Sequence, residues 1–414
     1  MTDETNLIKF DVAHDGGNGY MKDRINGKTT VFPSVLARFL PGMQNNIINF
    51  EDYDAIESFL SNYLQNMDVT IQSDGVYSNA RYLVGSSATT SGAPLINFNV
   101  QSVEGKNRSD ISLVSALSLI SYHAIKQYYD TYSRLPHSLE VIVPRFATDL
   151  PIDEMKNKTV RDSYISRFKD YSHEVTVNNF DSPITITVSF KNVDLQAEGV
   201  IGELGLIFSP IIPKSFRGDD IFEPLLTDYN LDHFDGQDLL EVGNVIGIDI
   251  GDGTVDFSAM NGASALPNMN DSLNSGIGNI AEDAINALHQ DYPTIRRLNR
   301  QKFMQIANRG DDEESRTYKK YLDDQAVVLN QQIISKISSL YSRLDQQVGL
   351  IVVSGGGAVT LKASLYKVLK EAMNQLDSFH KTKILWVESK YAQTLNLDGL
   401  QARVIAMRDD YSDR

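Results

Sequence analysis

Hydrophobic residues along this chain form short apolar runs that alternate with longer segments of helical spacing. Largely apolar runs with the length of buried strands lie at residues 139–143, 245–249 and 349–354, and a further strand candidate lies at residues 9–12. Residues 111–129 and 322–347 instead repeat their apolar positions at the spacing of one helix face. Strands and helices that alternate in this way predict an α/β fold.

Two of the strands run into the same pattern of a carboxylate, alternating glycines and a return strand. The first is Asp15-Gly16-Gly17-Asn18-Gly19, and the second is Asp249-Ile250-Gly251-Asp252-Gly253-Thr254. Because glycine has no Cβ, the backbone N–H groups of such a hairpin can approach phosphate oxygens closely. The pattern therefore predicts two phosphate-binding hairpins that hold one nucleotide.

The aspartates at the strand ends indicate a metal ion. A carboxylate beside phosphate is repulsive unless a divalent cation lies between them, and Mg²⁺ with its waters meets this need. We expect Asp15 and Asp249 to hold Mg²⁺ through water, and Lys22, on the first return strand, to contact phosphate. Asp256 remains open as a residue that supports the second hairpin.

A third glycine segment follows the strand at residues 349–354. Gly355-Gly356-Gly357 leads into a helix at residues 359–376. A glycine turn between a strand and a helix aims the N-terminal amides of the helix at a ligand and lets the backbone lie flat against it. The segment therefore predicts a further contact with the nucleotide.

Composition narrows the class of protein. A length of 414 residues with 42% apolar content predicts two or more domains with sizeable cores. The absence of cysteine excludes disulfides and thiolate zinc sites, and the seven histidines show no metal-binding spacing. A formal charge of −16 opposes direct binding to nucleic acid or to an anionic membrane. The sequence has no apolar stretch of membrane-spanning length and no signal-peptide pattern, so we expect a cytoplasmic protein.

The three glycine motifs follow one another in an order that resembles the actin-like ATPase superfamily, which also includes chaperone ATPase domains and sugar kinases. Residues 15–22 resemble its first phosphate motif, residues 246–256 its second, and residues 352–358 its adenosine motif. Within the superfamily the chain is most similar to plasmid-segregation actins of the ParM type, through residues 17–22, 82–85 and 392–399.

This resemblance implies an actin-like, two-lobed α/β fold, in which duplicated ribonuclease-H-like subdomains carry insertions and the nucleotide cleft lies between the lobes. Lobe I is expected at residues 1–200, with an inserted small subdomain at about 35–110 and a C-terminal helix at 391–414 that packs back on it. Lobe II is expected at residues 201–390, with a small subdomain inserted at about 277–345. Separately, the weak periodicity of residues 209–244 predicts a surface excursion.

The activity that the resemblance implies is ATP hydrolysis coupled to polymerisation into dynamic filaments that segregate plasmid DNA. The cofactors would be ATP, with GTP also possible, and Mg²⁺. The partners would be further copies of the chain and a DNA-binding adaptor at the plasmid centromere site, without direct contact to nucleic acid or membrane.

The resemblance also assigns roles to single residues. Glu198 would orient the hydrolytic water, alongside Asp15 and Asp249. Ala197 stands where many relatives have proline, so Glu203 and Gln196 remain alternatives to Glu198. The residues expected to bind the nucleotide are Gly16, Gly17, Asn18, Gly19, Lys22, Gly251, Asp252, Gly253, Thr254, Gly276, Gly278, Arg300, Lys302, Gly355, Gly356 and Gly357. Of these, Gly276 and Gly278 would admit ribose or phosphate, and Arg300 and Lys302 would flank the base.

Two other functions use the same fold. A small-molecule kinase of the sugar-kinase type needs an aspartate base close to the nucleotide, for which Asp149 is the nearest candidate. A non-polymerising actin-like scaffold protein is the second alternative.

Overall fold

The computed structural model of this chain describes residues 6–44, 47–98, 105–295, 298–310 and 312–412. These residues divide into two compact units. Unit 1 comprises the described residues up to Ala197 together with those from Leu400 onward, and unit 2 comprises Glu198–Gly399.

Unit 1 is built on one sheet of ten strands. They are β1 (Leu7–Gly16), β2 (Tyr20–Ile25), β3 (Lys28–Pro33), β4 (Val35–Arg38), β5 (Asp68–Gln72), β6 (Ala80–Val84), β7 (Leu95–Asn97), β8 (Ser138–Leu150), β9 (Ser172–Val177) and β10 (Ile184–Ala197). Their order across the sheet is β3-β2-β1-β8-β10-β9-β5-β6-β4-β7. The central strands β1, β8 and β10 are parallel. The end of β1 therefore lies beside the end of β8, where Ala13 pairs with Ala147 and His14 with Thr148.

The segment expected as a small inserted subdomain at 35–110 takes part in the same sheet. Strands β4 to β7 continue the sheet beyond β9, because β5 pairs with β9 in antiparallel register from Val69↔Val177 to Gln72↔Glu174. One large hydrophobic cluster extends from the central strands to β5 and β6 and includes Val69, Tyr82 and Val143.

Helices flank this sheet. They are α1 (Tyr53–Ser61), α2 (Ser86–Thr90), α3 (Ile111–Tyr132), α4 (Ile152–Met155) and α5 (Lys158–Lys169). Helix α3 is buried on nearly every face, and its serines fit this environment because Ser118 and Ser121 donate their hydroxyls to carbonyl oxygens one turn earlier. The predicted helix at 111–129 is confirmed.

Unit 2 has a second sheet and most of the remaining helices. Its strands are β11 (Asn244–Ile250), β12 (Val255–Asn261), β13 (Ser264–Ala265), β14 (Asp271–Leu273), β15 (Val348–Ser354) and β16 (Lys383–Trp386). The helices are α6 (Val200–Ile207), α7 (Glu223–Tyr229), α8 (Ile277–Asp291), α9 (Arg300–Ala307), α10 (Glu313–Arg343), α11 (Gly356–Leu376) and α12 (Ser389–Ala392). The strand order is β13-β12-β11-β15-β16, with β14 on β12. The parallel pairs β11–β15 and β15–β16 place the ends of β11 and β15 side by side.

Two sequence expectations in this region need correction. Residues 209–244 are a surface excursion only in part, because Ile211 and Ile212 are 81% and 60% exposed whereas Ile221, Phe222, Leu225 and Leu239 are buried in a hydrophobic cluster of unit 2. The long helix α10 begins nine residues before the predicted start at 322, since Asp312 caps it by accepting the N–H of Ser315.

The last helix is α13 (Leu395–Ser412), which starts in unit 2 and continues into unit 1. Within unit 1, Arg403 donates to Asp194 at 2.7 Å and Arg408 donates to the nearly buried Asp11 at 2.7 Å. None of the helices in the described part of the chain has both the length and the apolar composition that crossing a bilayer demands.

Candidate functional site

The first glycine segment forms the turn between β1 and β2, as predicted. Asp15 pairs with Lys22 across this hairpin, and the Lys22 Nζ lies 2.8 Å from Asp15 Oδ2. A Cβ on Gly17 would lie 2.7 Å from the Tyr20 carbonyl oxygen, so the turn closes in this way only with glycine there. The structure thus pairs the expected metal carboxylate of unit 1 with the expected phosphate lysine.

Two buried charged residues hold the start of this hairpin: Asp149, which the sequence offered only as a kinase base, and Lys106, which the sequence reasoning missed. The N–H of Gly16 donates to Asp149 Oδ1 at 3.2 Å, and the Gly16 carbonyl accepts from Lys106 Nζ at 3.1 Å. Glu154 fixes the backbone of the lysine segment by accepting the N–H groups of Lys106 and Asn107 at 2.8 and 2.9 Å. The Gly16 peptide is therefore held at both its N–H and its C=O by side chains of opposite charge.

Asp149 was the nearest candidate base for a kinase. Its side chain is only 2% exposed and is engaged with the Gly16 backbone. A general base must reach the hydroxyl of a substrate. This position therefore favours a role in holding the hairpin over a role in proton abstraction.

The Asn18 side chain provides an unsatisfied acceptor in the same turn. Its Oδ1 atom is buried and has no hydrogen-bond partner among the described residues. A buried carbonyl oxygen without a partner is costly, so the site calls for a donor or a cation at this point.

Behind the first hairpin lies a buried chain of hydrogen bonds through Asp23, His14, Ser112 and Tyr164. His14 Nδ1 is 2.7 Å from Asp23 Oδ1, His14 Nε2 is 2.9 Å from Ser112 Oγ, and Ser112 Oγ is 2.8 Å from Tyr164 OH. Burial raises the pKa of Tyr164 to about 12. The order of groups is that of a hydrolytic triad, but His14 and Ser112 are buried away from any substrate. The network ties β1 and β2 to α3 and α5.

The second glycine segment forms the turn between β11 and β12, also as predicted. Asp249 pairs with Asp256, and the turn is closed by the N–H of Gly251, which donates to the Thr254 carbonyl at 2.9 Å. The Thr254 hydroxyl donates to Asp256 Oδ2 at 2.8 Å. This bond fits the supporting role that the sequence left open for Asp256.

Gly276 and Gly278 pack directly against this second turn. The N–H groups of Ile277 and Gly278, in the first turn of α8, donate to the carbonyls of Gly251 and Asp252 at 3.0 and 2.8 Å. A Cβ on Gly276 would lie 2.6 Å from the Asp252 carbonyl oxygen. The N-terminus of α8 is therefore bonded to the hairpin.

The third glycine segment reaches the same place. Gly355 has a φ of +94°, and a Cβ there would lie 2.2 Å from Asp249 Oδ1. A Cβ on Gly357 would lie 2.6 Å from the Ile250 side chain, whereas Gly356 is exposed and has no atom nearer than 3.9 Å. Three glycine segments separated along the sequence, at 251–253, 276–278 and 355–357, thus converge at the end of β11 around Asp249.

These residues fit a magnesium–nucleotide complex. Within unit 1, Asp15 and Asn18 supply hard oxygen atoms of the kind that Mg²⁺ prefers, directly or through water, and within unit 2 Asp249 does the same. Glycine turns of this kind let backbone N–H groups approach phosphate closely. An added Cβ at Gly276 or Gly355 would collide with Asp252 or Asp249 and so would displace the second hairpin.

Comparisons with known proteins agree with this architecture. No protein-family model matches the sequence, and no curated protein matches it. Among solved structures, the chain is similar to the actin-like protein Alp7A, with a TM-score of 0.69, 16% identity and 98% of each chain covered. It is similar to a 15-stranded ParM filament from Clostridium botulinum, with a TM-score of 0.60, 18% identity and coverage of 96% of this chain and 99% of that one. It is also similar to Bacillus thuringiensis ParM with ADP, with a TM-score of 0.59, 12% identity and coverage of 97% and 99%.

The chain has an actin-like fold of the ParM type. The predicted fold class and the resemblance on which it was based are therefore confirmed.

Of the two basic residues expected near the base in this actin-like fold, only Arg300 lies at the second hairpin. Its Nη1 atom donates to Asp252 Oδ2 at 3.0 Å, and its Nε atom is 3.5 Å from Glu282 Oε1. Lys302 is exposed further along α9 and donates to Gln305 at 3.1 Å. The structure thus brings Arg300, but not Lys302, into contact with the expected site residues.

The acids around the start of α6 occupy different environments. Glu198 is nearly buried just before the helix, whereas Glu203 lies inside unit 2 against the sheet. Ser258 donates to Glu203 Oε1 at 2.6 Å, and burial raises the pKa of Glu203 to about 8 despite hydrogen bonds from Ser258 and Gly247. A neutral, enclosed carboxyl is poorly suited to orient water. Gln196, the other alternative, donates to Asp194 at 2.8 Å.

One further contact was missed from the sequence. Asn396, at the start of α13, donates its Nδ2 to Asp249 Oδ2 at 2.8 Å. Asn396 lies in residues 392–399, which the sequence analysis uses only for the family resemblance. That motif was the one signal that could have pointed to this residue.

Proposed function

We propose that this protein is an actin-like ATPase that binds Mg-ATP through its two glycine hairpins and assembles into filaments in the cytoplasm. The observation that carries the proposal is the convergence of three glycine segments on Asp249, because a glycine-lined backbone beside a carboxylate is suited to phosphate and metal together. The similar ParM of Bacillus thuringiensis was solved with ADP, which supports an adenine nucleotide as the ligand.

When bound, Mg²⁺ would neutralise phosphate charge, with Asp15 and Asp249 as its carboxylates. Residues of the chain would supply the other interactions. Lys22 would face phosphate beside Asp15, the turn amides would orient the phosphates, and Glu198 would position the attacking water.

Assembly is proposed because the similar ParM of Clostridium botulinum forms a 15-stranded filament. Contacts between unlike surfaces of successive copies build an open polymer when the rotation from copy to copy does not close a ring. Plasmid segregation is the role we propose for the filament. The charge of −16 argues that an adaptor protein, not the filament, would contact DNA.

A sedimentation assay with Mg-ATP, combined with phosphate release, tests the proposal. We expect the protein to pellet with Mg-ATP and to remain in the supernatant with EDTA, and we expect Glu198→Ala to bind nucleotide but to hydrolyse it slowly, so that its polymers persist. A protein that binds Mg-ATP and stays monomeric would refute the filament. ADP release that depends on an added sugar would identify a kinase instead.

A further inference from the structure

Helix α6 and the first turn of α13 cross at very short distance within unit 2. A Cβ on Gly205 would lie 2.7 Å from the carbonyl oxygen of Leu395, and a Cβ on Gly399 would lie 1.8 Å from that of Ile201. Real Cβ atoms do not approach backbone so closely, so the crossing requires glycine on both helices. The start of α13 is therefore fixed against α6 backbone to backbone.

A buried arginine fastens the same crossing. Arg217 Nη1 donates to the Gly205 carbonyl at 2.7 Å and to Asp398 Oδ2 at 2.9 Å, so one guanidinium joins the two helices. Arg217 is only 2% exposed, and it belongs to the 209–244 segment, for which the sequence predicts a surface excursion. Charge-assisted hydrogen bonds from a buried arginine are strong, so Arg217 fixes the positions of the two helices relative to each other.

This crossing aims the Asn396 side chain at Asp249. The Asn396 Nδ2 donates to Asp249 Oδ2 at 2.8 Å, and its Oδ1 faces Gly202, where a Cβ would lie only 2.7 Å away. A carboxylate only accepts hydrogen bonds, so the nitrogen of the amide must face Asp249.

We propose that Asn396 is a positioning residue for Asp249, which it holds in the orientation that serves the metal. The role rests on the proposed function, in which Asp249 holds Mg²⁺ through water. A neutral amide suits this task because it fixes a carboxylate without cancelling the negative charge that attracts the cation. The hydrogen bond belongs to the chain alone and does not need a nucleotide.

Asn396→Ala tests the role through the magnesium dependence of nucleotide binding. At a fixed concentration of a fluorescent ATP analogue, we expect the Mg²⁺ concentration at half-maximal binding to rise about tenfold, the loss expected for a hydrogen bond to a charged group. In EDTA, the affinity for the same analogue should change less than about twofold. Gly202→Ala should give the same magnesium shift, because its new Cβ would push the Asn396 amide away from Asp249. This variant keeps both the asparagine and the aspartate in the sequence.

Asn330→Ala is the matched control. Asn330 is also an asparagine of unit 2, and it donates its Nδ2 to Ser364 at 3.2 Å between α10 and α11. Its loss should lower the melting temperature and leave the magnesium midpoint unchanged. A recovery of the midpoint in Asn396→Gln, which keeps the amide donor, would further support the role.

The possible outcomes distinguish a failure of the proposed function from a failure of the role of Asn396. If the wild-type protein shows no magnesium-dependent nucleotide binding, both the proposed function and the role of Asn396 fail. If the wild type binds as expected and Asn396→Ala has the same magnesium midpoint, the role of Asn396 alone is refuted. A loss of melting temperature without a magnesium shift would have the same meaning.

Discussion

The two hairpins share one sequence pattern but are held in place by different kinds of interaction. In unit 1, charged side chains support the turn, since Lys22 binds Asp15 while Lys106 and Asp149 bind the Gly16 peptide. In unit 2, backbone packing through Gly276 and Gly355 supports the turn, and the ion pair of Arg300 with Asp252 is about one-third exposed. The same local pattern can thus be stabilised mainly by charged side chains or mainly by close backbone packing. We therefore expect the first hairpin to be sensitive to loss of a charge and the second to addition of a Cβ.

The largest expected effect separates the two carboxylates. Asp249→Ala should weaken Mg-ATP binding on the order of 100-fold, as loss of a metal-binding carboxylate requires. Asp15→Ala should cost only about tenfold, because Lys22 loses the carboxylate it pairs with and gains freedom to bind phosphate. Titration calorimetry of both variants measures the contrast. Equal losses would remove the distinction between the hairpins.

The next effect concerns the added Cβ in unit 2. Gly355→Ala should reduce Mg-ATP affinity about thirtyfold, since it combines strain at φ +94° with a contact of 2.2 Å to Asp249. Gly356→Ala is the control one residue away, because its Cβ would meet nothing within 3.9 Å. If both variants bind like the wild type, the glycine packing does not shape the site.

A smaller effect is expected from the charged support in unit 1. Lys106→Met keeps much of the side-chain volume but removes the donor to the Gly16 carbonyl, and should weaken nucleotide binding about fivefold. Lys126→Met, which breaks an exposed bond to Asp130 on the same unit, serves as the control and should have no effect. Identical affinities for Lys106→Met and the wild type would show that the lysine does not support the turn.

Glu203→Gln should leave nucleotide affinity unchanged and alter only the pH dependence of stability. With a folded pKa of about 8 and an ordinary unfolded value of 4.5, Glu203 keeps its proton in the folded chain and loses it on unfolding. Its contribution is therefore fully present below pH 4.5 and is lost as the pH rises to about 8. The variant should match the wild type near pH 4 and exceed it at pH 8.5 by a few kcal/mol in the free energy of unfolding, on the order given by linkage. A stability difference that does not vary with pH would show that Glu203 is ionised in the fold.

The parts of the site that could be predicted from the sequence are those that a local pattern specifies. Both hairpins and the Gly355 turn follow from glycines next to apolar strands, so their positions were evident without the fold. The supports of those turns come from far along the chain: Asp149 lies 133 residues from Gly16, and Asn396 lies 147 residues from Asp249. Their contacts exist only after the parallel strands and the crossing of α6 with α13 have formed.

Burial explains the remaining errors. Residues 209–244 lack a clear period because their helices are short, yet Arg217 and four apolar side chains from residue 221 onward are buried in unit 2. The distinction between Glu198 and Glu203 likewise depends on where α6 begins and on which of its sides faces the sheet, because Glu198 precedes the helix and Glu203 lies within it.

The most direct test of the account is a crystal structure of the protein with Mg²⁺ and a non-hydrolysable ATP analogue. We predict that the phosphates of one nucleotide contact the turn amides of both hairpins, and that the Asp249 carboxylate lies one water molecule from the metal while it keeps its bond to Asn396. A nucleotide bound away from residues 16–19 and 251–254, or a metal remote from Asp249, would contradict the account.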